Sequence, residues 1–146
     1  MMKSAYLKST NSNETLSINA LEEFDSKGQS LEVIIEDISN AKIDSSSKVF
    51  HQYADFLHFP LIDAISLGEG NTPLIEASDK MNQYLGCNIL LKNETVNPTW
   101  SFKDRGSWAK MQHITRLGEK TTATVSTGNM GNSTAAYAAK AGIKPL

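Results

Sequence analysis

Apolar positions in the second half of the chain change repeatedly from short unbroken runs to spaced positions, which predicts alternating strands and helices. Spaced apolar residues closed by a glycine are typical of helices, and short apolar runs are typical of buried strands. Helices are predicted at residues 78–85, 101–117 and 131–141, and strands at residues 88–93 and 121–126. This order predicts an α/β fold with a parallel sheet and helical crossovers.

The first half of the chain has weaker patterns of apolar and polar positions. In the second half, the chain ends where one more strand is expected. The predicted features are a poorly ordered polar terminus at residues 1–13, a strand at 30–37, a serine-rich break at 44–48, one or two helical turns at 49–59 that end before Pro60, and a turn-rich loop at 66–74. Another strand is expected to begin at residues 143–146. The pattern therefore predicts an incomplete, truncated portion of a larger fold.

Composition narrows the classes of function. The chain has 146 residues, of which 40% are hydrophobic and 21% charged, as is typical of a soluble globular protein. Its 14 basic residues are interleaved with 16 acidic ones, which argues against nucleic-acid binding. Cys87 is the only cysteine, which excludes an internal disulfide. No leader or long apolar segment is visible, so a cytoplasmic location without membrane contact is expected.

The segment NPTWSFKDRG, at residues 97–106, is the first candidate site. It predicts a turn followed by a helix that Ser101 can cap, with Lys103 in the first turn. Because the helix dipole disfavours a cation there, the free amine is favoured, and a free amine can form an imine with an aldehyde. The alternative is a solvated surface lysine beside Asp104, with Arg105 completing an ordinary helix.

Two glycine-containing loops accompany this segment. STGNMGN, at residues 126–132, lies between a predicted strand and a predicted helix. Its glycines allow a ligand to approach the backbone, and the N–H groups at the start of the helix favour a carboxylate or phosphate. The alternative is a plain helix cap. GEGNTPL, at residues 68–74, is interpreted as a structural loop.

In this order, GEGNTPL, NPTWSFKDRG and STGNMGNSTAAYAAKAGI resemble the N-terminal part of the fold type II pyridoxal-phosphate enzymes, with the threonine synthases as the most similar members. The resemblance covers approximately residues 48–146. It implies pyridoxal 5'-phosphate as cofactor and a small-molecule amino-acid substrate, and it allows a homodimer in the complete enzyme.

The resemblance also implies roles for individual residues. The Schiff-base lysine of the family, which is also its general base, falls on Lys103. The asparagine that hydrogen-bonds the 3-hydroxyl of the cofactor falls on Asn129. The loop that receives the substrate carboxylate falls on Ser126, Thr127 and Gly128.

The implied reaction converts O-phosphohomoserine to threonine and phosphate. Cysteate synthase and threonine dehydratase share the same front half and stay open as alternatives. The alternative outside the enzymes is a non-catalytic remnant of the fold, which predicts an exposed apolar sheet edge at residues 121–125. The phosphate loop of the family and its residue at the pyridine nitrogen have no counterpart before Leu146. Weak cofactor binding and little or no turnover are therefore expected of this chain.

The sequence departs from the family pattern at two places. Trp100 replaces a small residue, often glycine, and is expected either to narrow the pocket or, preferably, to pack against the sheet. Residues 1–47 resemble a zinc-ribbon extension without its cysteines, which predicts no metal. His51, His58 and His113 lack thiolate partners at ligand spacing and are expected to be packed or surface residues.

Overall fold

A computed structural model describes residues 4–47, 49–59 and 61–146 of the chain. The chain divides into two compact units, Met1–Leu61 and Ile62–Leu146. The domain boundary predicted at residues 47 and 48 falls on Lys48, which lies outside the described residues. The division into a zinc-ribbon-like extension and a cofactor-binding domain stays a prediction.

The first unit contains a three-stranded antiparallel sheet in the order β2-β1-β3. Strand β1 is Ala5–Ser9, β2 is Thr15–Ser17 and β3 is Leu31–Ile35. Strand β3 confirms the predicted strand at residues 30–37. Strand β1 shows that the predicted poorly ordered terminus at residues 1–13 was wrong for residues 5–9, while residues 1–3 lie outside the described residues. Backbone pairing on both sides of β1 stabilises this segment.

A buried carboxylate connects two loops of this unit. Asp25 accepts a hydrogen bond from the Ser9 hydroxyl at 2.7 Å and from the backbone N–H groups of Lys27 and Gln29 at 2.8 Å each. The hydrogen bond from the Gln29 backbone, followed by that from Ser9, lowers the pKa of Asp25 below its usual 3.8. The partners are at most 16 residues away in sequence.

The helical turns predicted at residues 49–59 occur as a 3-10 helix at His51–Phe56. Pro60, where the turns were predicted to end, lies outside the described residues. Two further 3-10 helices lie at Ile38–Asn40 and, in the second unit, at Asp63–Ile65. A fourth lies at Glu94–Val96 in the second unit, immediately before the predicted NPTWSFKDRG site.

The second unit confirms the three predicted helices: α1 at Asp79–Leu85, α2 at Lys103–Leu117 and α3 at Asn129–Ala141. The Ser78 hydroxyl caps α1 by accepting a hydrogen bond from the Met81 backbone N–H. All three helices end at a glycine with positive φ, between 69° and 78°. A residue with a side chain rarely adopts that conformation, which explains why glycine predicted these ends correctly.

The strands of the second unit form two small sheets. Strand β4 (Leu74–Glu76) pairs antiparallel with β5 (Leu90–Lys92), and β6 (Thr121–Thr122) pairs parallel with β7 (Lys144–Pro145). Helix α3 connects β6 to β7, so this one crossover has its second strand, contrary to the expectation that it would be missing. An extended parallel sheet with crossovers is not confirmed; the architecture is mixed α and β with small sheets.

Strand β5 is exposed, and its predicted burial was wrong. Leu90 and Leu91 are about half exposed, and so are Leu74 and Ile75 on the paired strand β4. An apolar run indicates burial only when another layer covers the strand, and α1, which connects these two strands, contributes no buried residue.

The core of the second unit lies between α2 and α3. Asp104, Ser107, Trp108 and Met111 follow the i, i+3, i+4, i+7 spacing of one helix face, and all four are buried. Tyr137 of α3 is also fully buried. Polar side chains therefore occupy the end of this interface nearest the start of α2. Among the described residues, no helix is both long enough and apolar enough to cross a membrane.

Candidate functional site

The three motif segments, defined as residues 68–74, 97–106 and 126–137, are connected by hydrogen bonds between side chains distant in sequence. Asp104, in the first turn of α2, makes one of these connections. Its carboxylate is fully buried and accepts hydrogen bonds from the backbone N–H of Thr99 at 2.7 Å and from the Thr99 hydroxyl. The Ser133 hydroxyl of α3 donates to the same carboxylate at 2.6 Å. Asp104 thus connects the turn before α2 to the neighbouring helix.

A second connection joins the 68–74 segment to α3. The buried Tyr137 hydroxyl donates to the Glu69 carboxylate at 2.6 Å, across 68 residues of sequence. Glu69 also accepts hydrogen bonds from the Ser66 hydroxyl and the Leu67 backbone N–H. Burial, followed by the Glu69 hydrogen bond, raises the pKa of Tyr137 well above its usual 10.0. Tyr137 therefore stays a protonated donor to this carboxylate.

A third connection joins the 68–74 segment to residues 94–105. Arg105 forms a two-pronged ion pair with Glu94, with both N–O distances 2.8 Å, and also donates to the Thr72 hydroxyl at 3.0 Å. The buried Asn97 side chain accepts from the Gly70 backbone N–H at 2.9 Å and donates to Glu94. The Arg105 hydrogen bond is the main reason that the pKa of Glu94 falls from 4.5 to about 2. Glu94 therefore remains charged at neutral pH.

Lys103 opens α2 and is partly exposed. Its Nζ atom lies 4.3 Å from the centroid of the Phe102 ring, and no carboxylate of a described residue forms a salt bridge with it. The Ser101 hydroxyl accepts a hydrogen bond from the Lys103 backbone N–H at 3.3 Å. Ser101 therefore contacts the helix start as predicted, although Phe102 is the residue at the cap position. The amine is accessible to a ligand from solvent.

The loop before α3 is exposed at all of the predicted ligand-binding residues: Ser126, Thr127, Gly128 and Asn129. The Ser126 hydroxyl accepts a hydrogen bond from the Gly128 backbone N–H at 3.2 Å, which folds the loop against the start of the helix. A Cβ added at Gly131 would lie 3.4 Å from the Ser126 Cβ. A larger residue at this position would therefore occupy the space where the loop turns.

A hydrogen bond joins the first turn of α2 to the second turn of α3. Asn129, Ser133 and Tyr137 are spaced by four residues and share one face of α3. Ser133 on this face bonds Asp104, the residue after Lys103. Asn129 is the first residue of α3 and lies one helical turn before Ser133. The described residues contain no hydrogen bond between Lys103 and Asn129, and the roles of both residues stay predictions.

The position of Trp100 corrects one prediction. Its side chain is 80% exposed, so it does not pack against a sheet. Its backbone has φ of 62°, in the left-handed region that favours glycine. This conformation gives a physical reason for the small residue of the family pattern. Whether the indole narrows a pocket stays a prediction.

Sequence reasoning missed the residues that connect the segments. Their shared feature is a polar side chain inside a motif that contacts another motif: Glu69, Asn97, Asp104, Arg105, Ser133 and Tyr137. No role was predicted for Asp104, which is fully buried. Helical spacing offered a signal, because Asp104 shares the face of Trp108 and Met111.

The residues at the starts of α2 and α3 fit a phosphorylated aldehyde such as pyridoxal phosphate. Lys103 presents an accessible amine without a carboxylate partner among the described residues. The start of α3 presents backbone N–H groups next to the exposed loop residues 126–128. In the part of the chain that the structure describes, no group of three or more His, Cys, Asp and Glu side chains is placed to bind a metal ion.

Comparison with known proteins gives the same family. The family model described as "Pyridoxal-phosphate dependent enzyme" matches residues 65–146, more than half of the chain. A threonine synthase of Mycobacterium leprae is 47% identical over 79 residues, which are 54% of this chain and 22% of the relative. A threonine synthase of Methanosarcina acetivorans is 37% identical over 124 residues, or 81% of this chain and 30% of the relative. The chain thus spans less than a third of the length of these relatives.

Proposed function

The chain belongs to the pyridoxal-phosphate-dependent enzyme family, and on that premise we propose that it provides the cofactor-binding lysine and asparagine loop of a threonine synthase-like enzyme. The prediction of pyridoxal phosphate as cofactor is confirmed by the family match. The similarity to threonine synthases over as much as 81% of the chain supports the proposed activity. The proposed substrate is O-phosphohomoserine, which with water gives threonine and phosphate.

Each predicted site residue has a role in this proposal. The Lys103 Nζ atom would hold the cofactor and would accept and return protons at the substrate carbons. The Asn129 amide would hold the cofactor by a hydrogen bond. Ser126, Thr127 and the backbone N–H of Gly128 bind the substrate carboxylate. When bound, pyridoxal phosphate supplies the electron sink for these proton transfers.

The observation that carries the proposal is the environment of the Lys103 amine. The amine is accessible, lies at a helix start and has no salt-bridge partner among the described residues. Its neighbour Asp104 is bonded to Ser133, one helical turn from Asn129. This arrangement supports an amine held at one end of a helix pair, where it can react with an aldehyde.

The test is covalent trapping of the cofactor on the full chain. The chain is incubated with pyridoxal phosphate, reduced with borohydride and analysed by mass spectrometry, in parallel with Lys103→Arg and with Lys110→Arg as a matched control on the same helix. We expect one preferred label that maps to Lys103 and disappears only in Lys103→Arg. Equal labelling of many lysines, or label retained in Lys103→Arg, would contradict the proposal.

Substrate choice requires a separate measurement. Phosphate release is followed with O-phosphohomoserine and with O-phosphoserine, and deamination is followed with serine and threonine. We expect release from O-phosphohomoserine alone, at a low rate. Release from O-phosphoserine would instead indicate a cysteate synthase-like activity, and deamination would indicate a threonine dehydratase-like activity.

A non-catalytic remnant of the fold is the second candidate, because apolar surface is exposed at the place it predicts. Val125 is fully exposed, and the half-exposed strands β4 and β5 add further apolar surface. Pairing of β6 with β7 covers one edge of residues 121–122. Specific labelling of Lys103 without turnover of any of these substrates would favour this candidate.

A further inference from the structure

The function proposed above assigns no contact with cofactor or substrate to the fully buried pair Asp104 and Ser133. Buried polar groups require hydrogen-bond partners, and this pair satisfies that requirement across two helices. Apolar side chains could fill this position instead, as the buried Met111 does farther along α2. We propose that Ser133 and Asp104 are positioning residues that fix Lys103 relative to the loop at residues 126–129.

The first step in the argument is the orientation of α2. Lys103 and Asp104 are consecutive residues in its first turn, so the helical backbone fixes the directions of their Cα–Cβ bonds relative to each other. The Asp104 carboxylate is held by Thr99 on the side of the preceding turn and by Ser133 on the side of α3. With its carboxylate fixed in two directions, the helix start cannot rotate without breaking a bond to a charged group.

The second step is the position of the partner on α3. Ser133 lies four residues after Asn129 on the same helix face, about 6 Å along the axis by the helical rise. A shift of α3 relative to α2 would therefore move Asn129 together with Ser133. The Ser133–Asp104 bond is the connection nearest to both ligand-binding segments.

A neighbouring serine provides a matched control. The Ser107 hydroxyl is buried in the same cluster, 2.8 Å from the Ser133 hydroxyl, but forms no described hydrogen bond to Asp104. Ser107→Ala and Ser133→Ala remove the same atom from equally buried positions. Both substitutions remove the Ser107–Ser133 hydrogen bond, and only Ser133→Ala also takes a donor from Asp104. Positioning through Asp104 therefore predicts an effect of Ser133→Ala alone, whereas equal effects would assign the role to the Ser107–Ser133 bond.

The inference deepens the proposed function, and its test therefore includes a measurement without cofactor. Cysteines replace Lys103 and Asn129 in a Cys87→Ser background, oxidised glutathione is added as the oxidant, and the rate of disulfide formation reports how often the two positions meet. We expect Ser133→Ala to change this rate about tenfold and Ser107→Ala to leave it nearly unchanged, since small displacements of reacting groups have large effects on rate. Equal rates in both variants would overturn the inference.

The second measurement is the cofactor trapping described above, on the chain with Lys103 and Asn129 intact. We expect Ser133→Ala to lower labelling of Lys103 about tenfold relative to Ser107→Ala, with labelling of other lysines unchanged. If the unsubstituted chain is not labelled at Lys103 but disulfide formation still depends on Ser133, the proposed function fails and the positioning role stands. If Ser133→Ala does not fold, Asp104→Asn replaces it and must give the same pattern.

Discussion

The two units of the chain use buried carboxylates in different ways. In the first unit, Asp25 binds groups that are at most 16 residues away, and it stabilises two loops of one small sheet. In the second unit, Asp104 and Glu69 bind hydroxyls 29 and 68 residues away. The local carboxylate shapes a turn, whereas the long-range carboxylates bring three separate segments to one place. Long-range polar connections are therefore the feature that distinguishes the candidate site from an ordinary loop cluster.

Among the long-range polar connections of the second unit, we expect removal of the Arg105 side chain to have the largest effect. Arg105→Ala leaves Glu94 without its two-pronged partner and Thr72 without a donor. We expect the free energy of unfolding to fall by about 2 kcal/mol, as measured by urea denaturation. The pKa of Glu94, about 2 in the native chain, should rise toward 4.5.

The pH dependence follows from this shift. A carboxyl whose folded pKa is depressed stabilises the fold above its unfolded pKa, and this contribution is lost as pH falls from about 4.5 toward 2. Arg105→Ala should reduce that acid dependence, and Arg105→Lys should restore it only in part, because lysine lacks the planar fork. An acid dependence unchanged by Arg105→Ala would contradict the assignment.

Removing the Tyr137 hydroxyl tests the connection of largest sequence separation. Tyr137→Phe should lower the free energy of unfolding by about 1 kcal/mol because Glu69 loses a buried donor. The folded pKa of Tyr137 is raised, so its proton is lost more easily in the unfolded chain. Stability should therefore decline above pH 10.0 in the native chain, and Tyr137→Phe should remove this part of the decline. Tyr84→Phe, at a residue 87% exposed, is the control and should leave it in place.

The backbone conformation at Trp100 predicts a small increase in the free energy of unfolding when the residue is replaced by glycine. Trp100→Gly should raise the free energy of unfolding by about 0.5 kcal/mol, because glycine adopts the φ of 62° without strain but loses more chain entropy. Trp100→Ala retains a Cβ and should show no such gain. A gain of similar size in both variants would indicate that loss of the exposed indole, and not the backbone conformation, is responsible.

The local carboxylate predicts the smallest effect on the candidate site. Asp25→Asn should accelerate amide hydrogen exchange in β1 and β3 but leave cofactor labelling of Lys103 unchanged. Because the pKa of Asp25 is lowered, its contribution is present above 3.8 and is lost as pH falls through its folded value. Asp25→Asn should remove this acid sensitivity of the first sheet. A loss of Lys103 labelling would show that the distinction between local and long-range carboxylates is wrong.

The sequence predicted the second unit better than the first because its helices carry local signals. Ser78 at a cap and glycines at positive φ mark helix ends through the backbone alone. Strand β1 has no such signal, because its stability depends on pairing with a strand more than 20 residues later. The exposure of β5 likewise depends on what covers a strand, which an apolar run does not encode.

Within the candidate site, local motifs likewise predicted some residues, whereas tertiary contacts determine the others. The motifs pointed to Lys103 and Asn129 through their resemblance to the family, and the roles of both residues stay predictions. They did not indicate which polar residues are buried partners of one another. The sequence indicated no partner for Asp104 beyond its neighbour Lys103, and only the packing of α3 against α2 gives it Ser133 as a partner. Pairings of this kind depend on tertiary contacts between segments far apart in sequence.

Amide hydrogen exchange tests most directly whether the long-range bonds make the start of α2 and the start of α3 one cooperative unit around Lys103. Protection of amides in residues 107–111 and 133–137 is measured in the native chain and in Asp104→Asn. We predict one common opening free energy for both segments in the native chain and a common decrease in the variant. Different opening free energies in the native chain, or a decrease limited to one helix, would contradict the account.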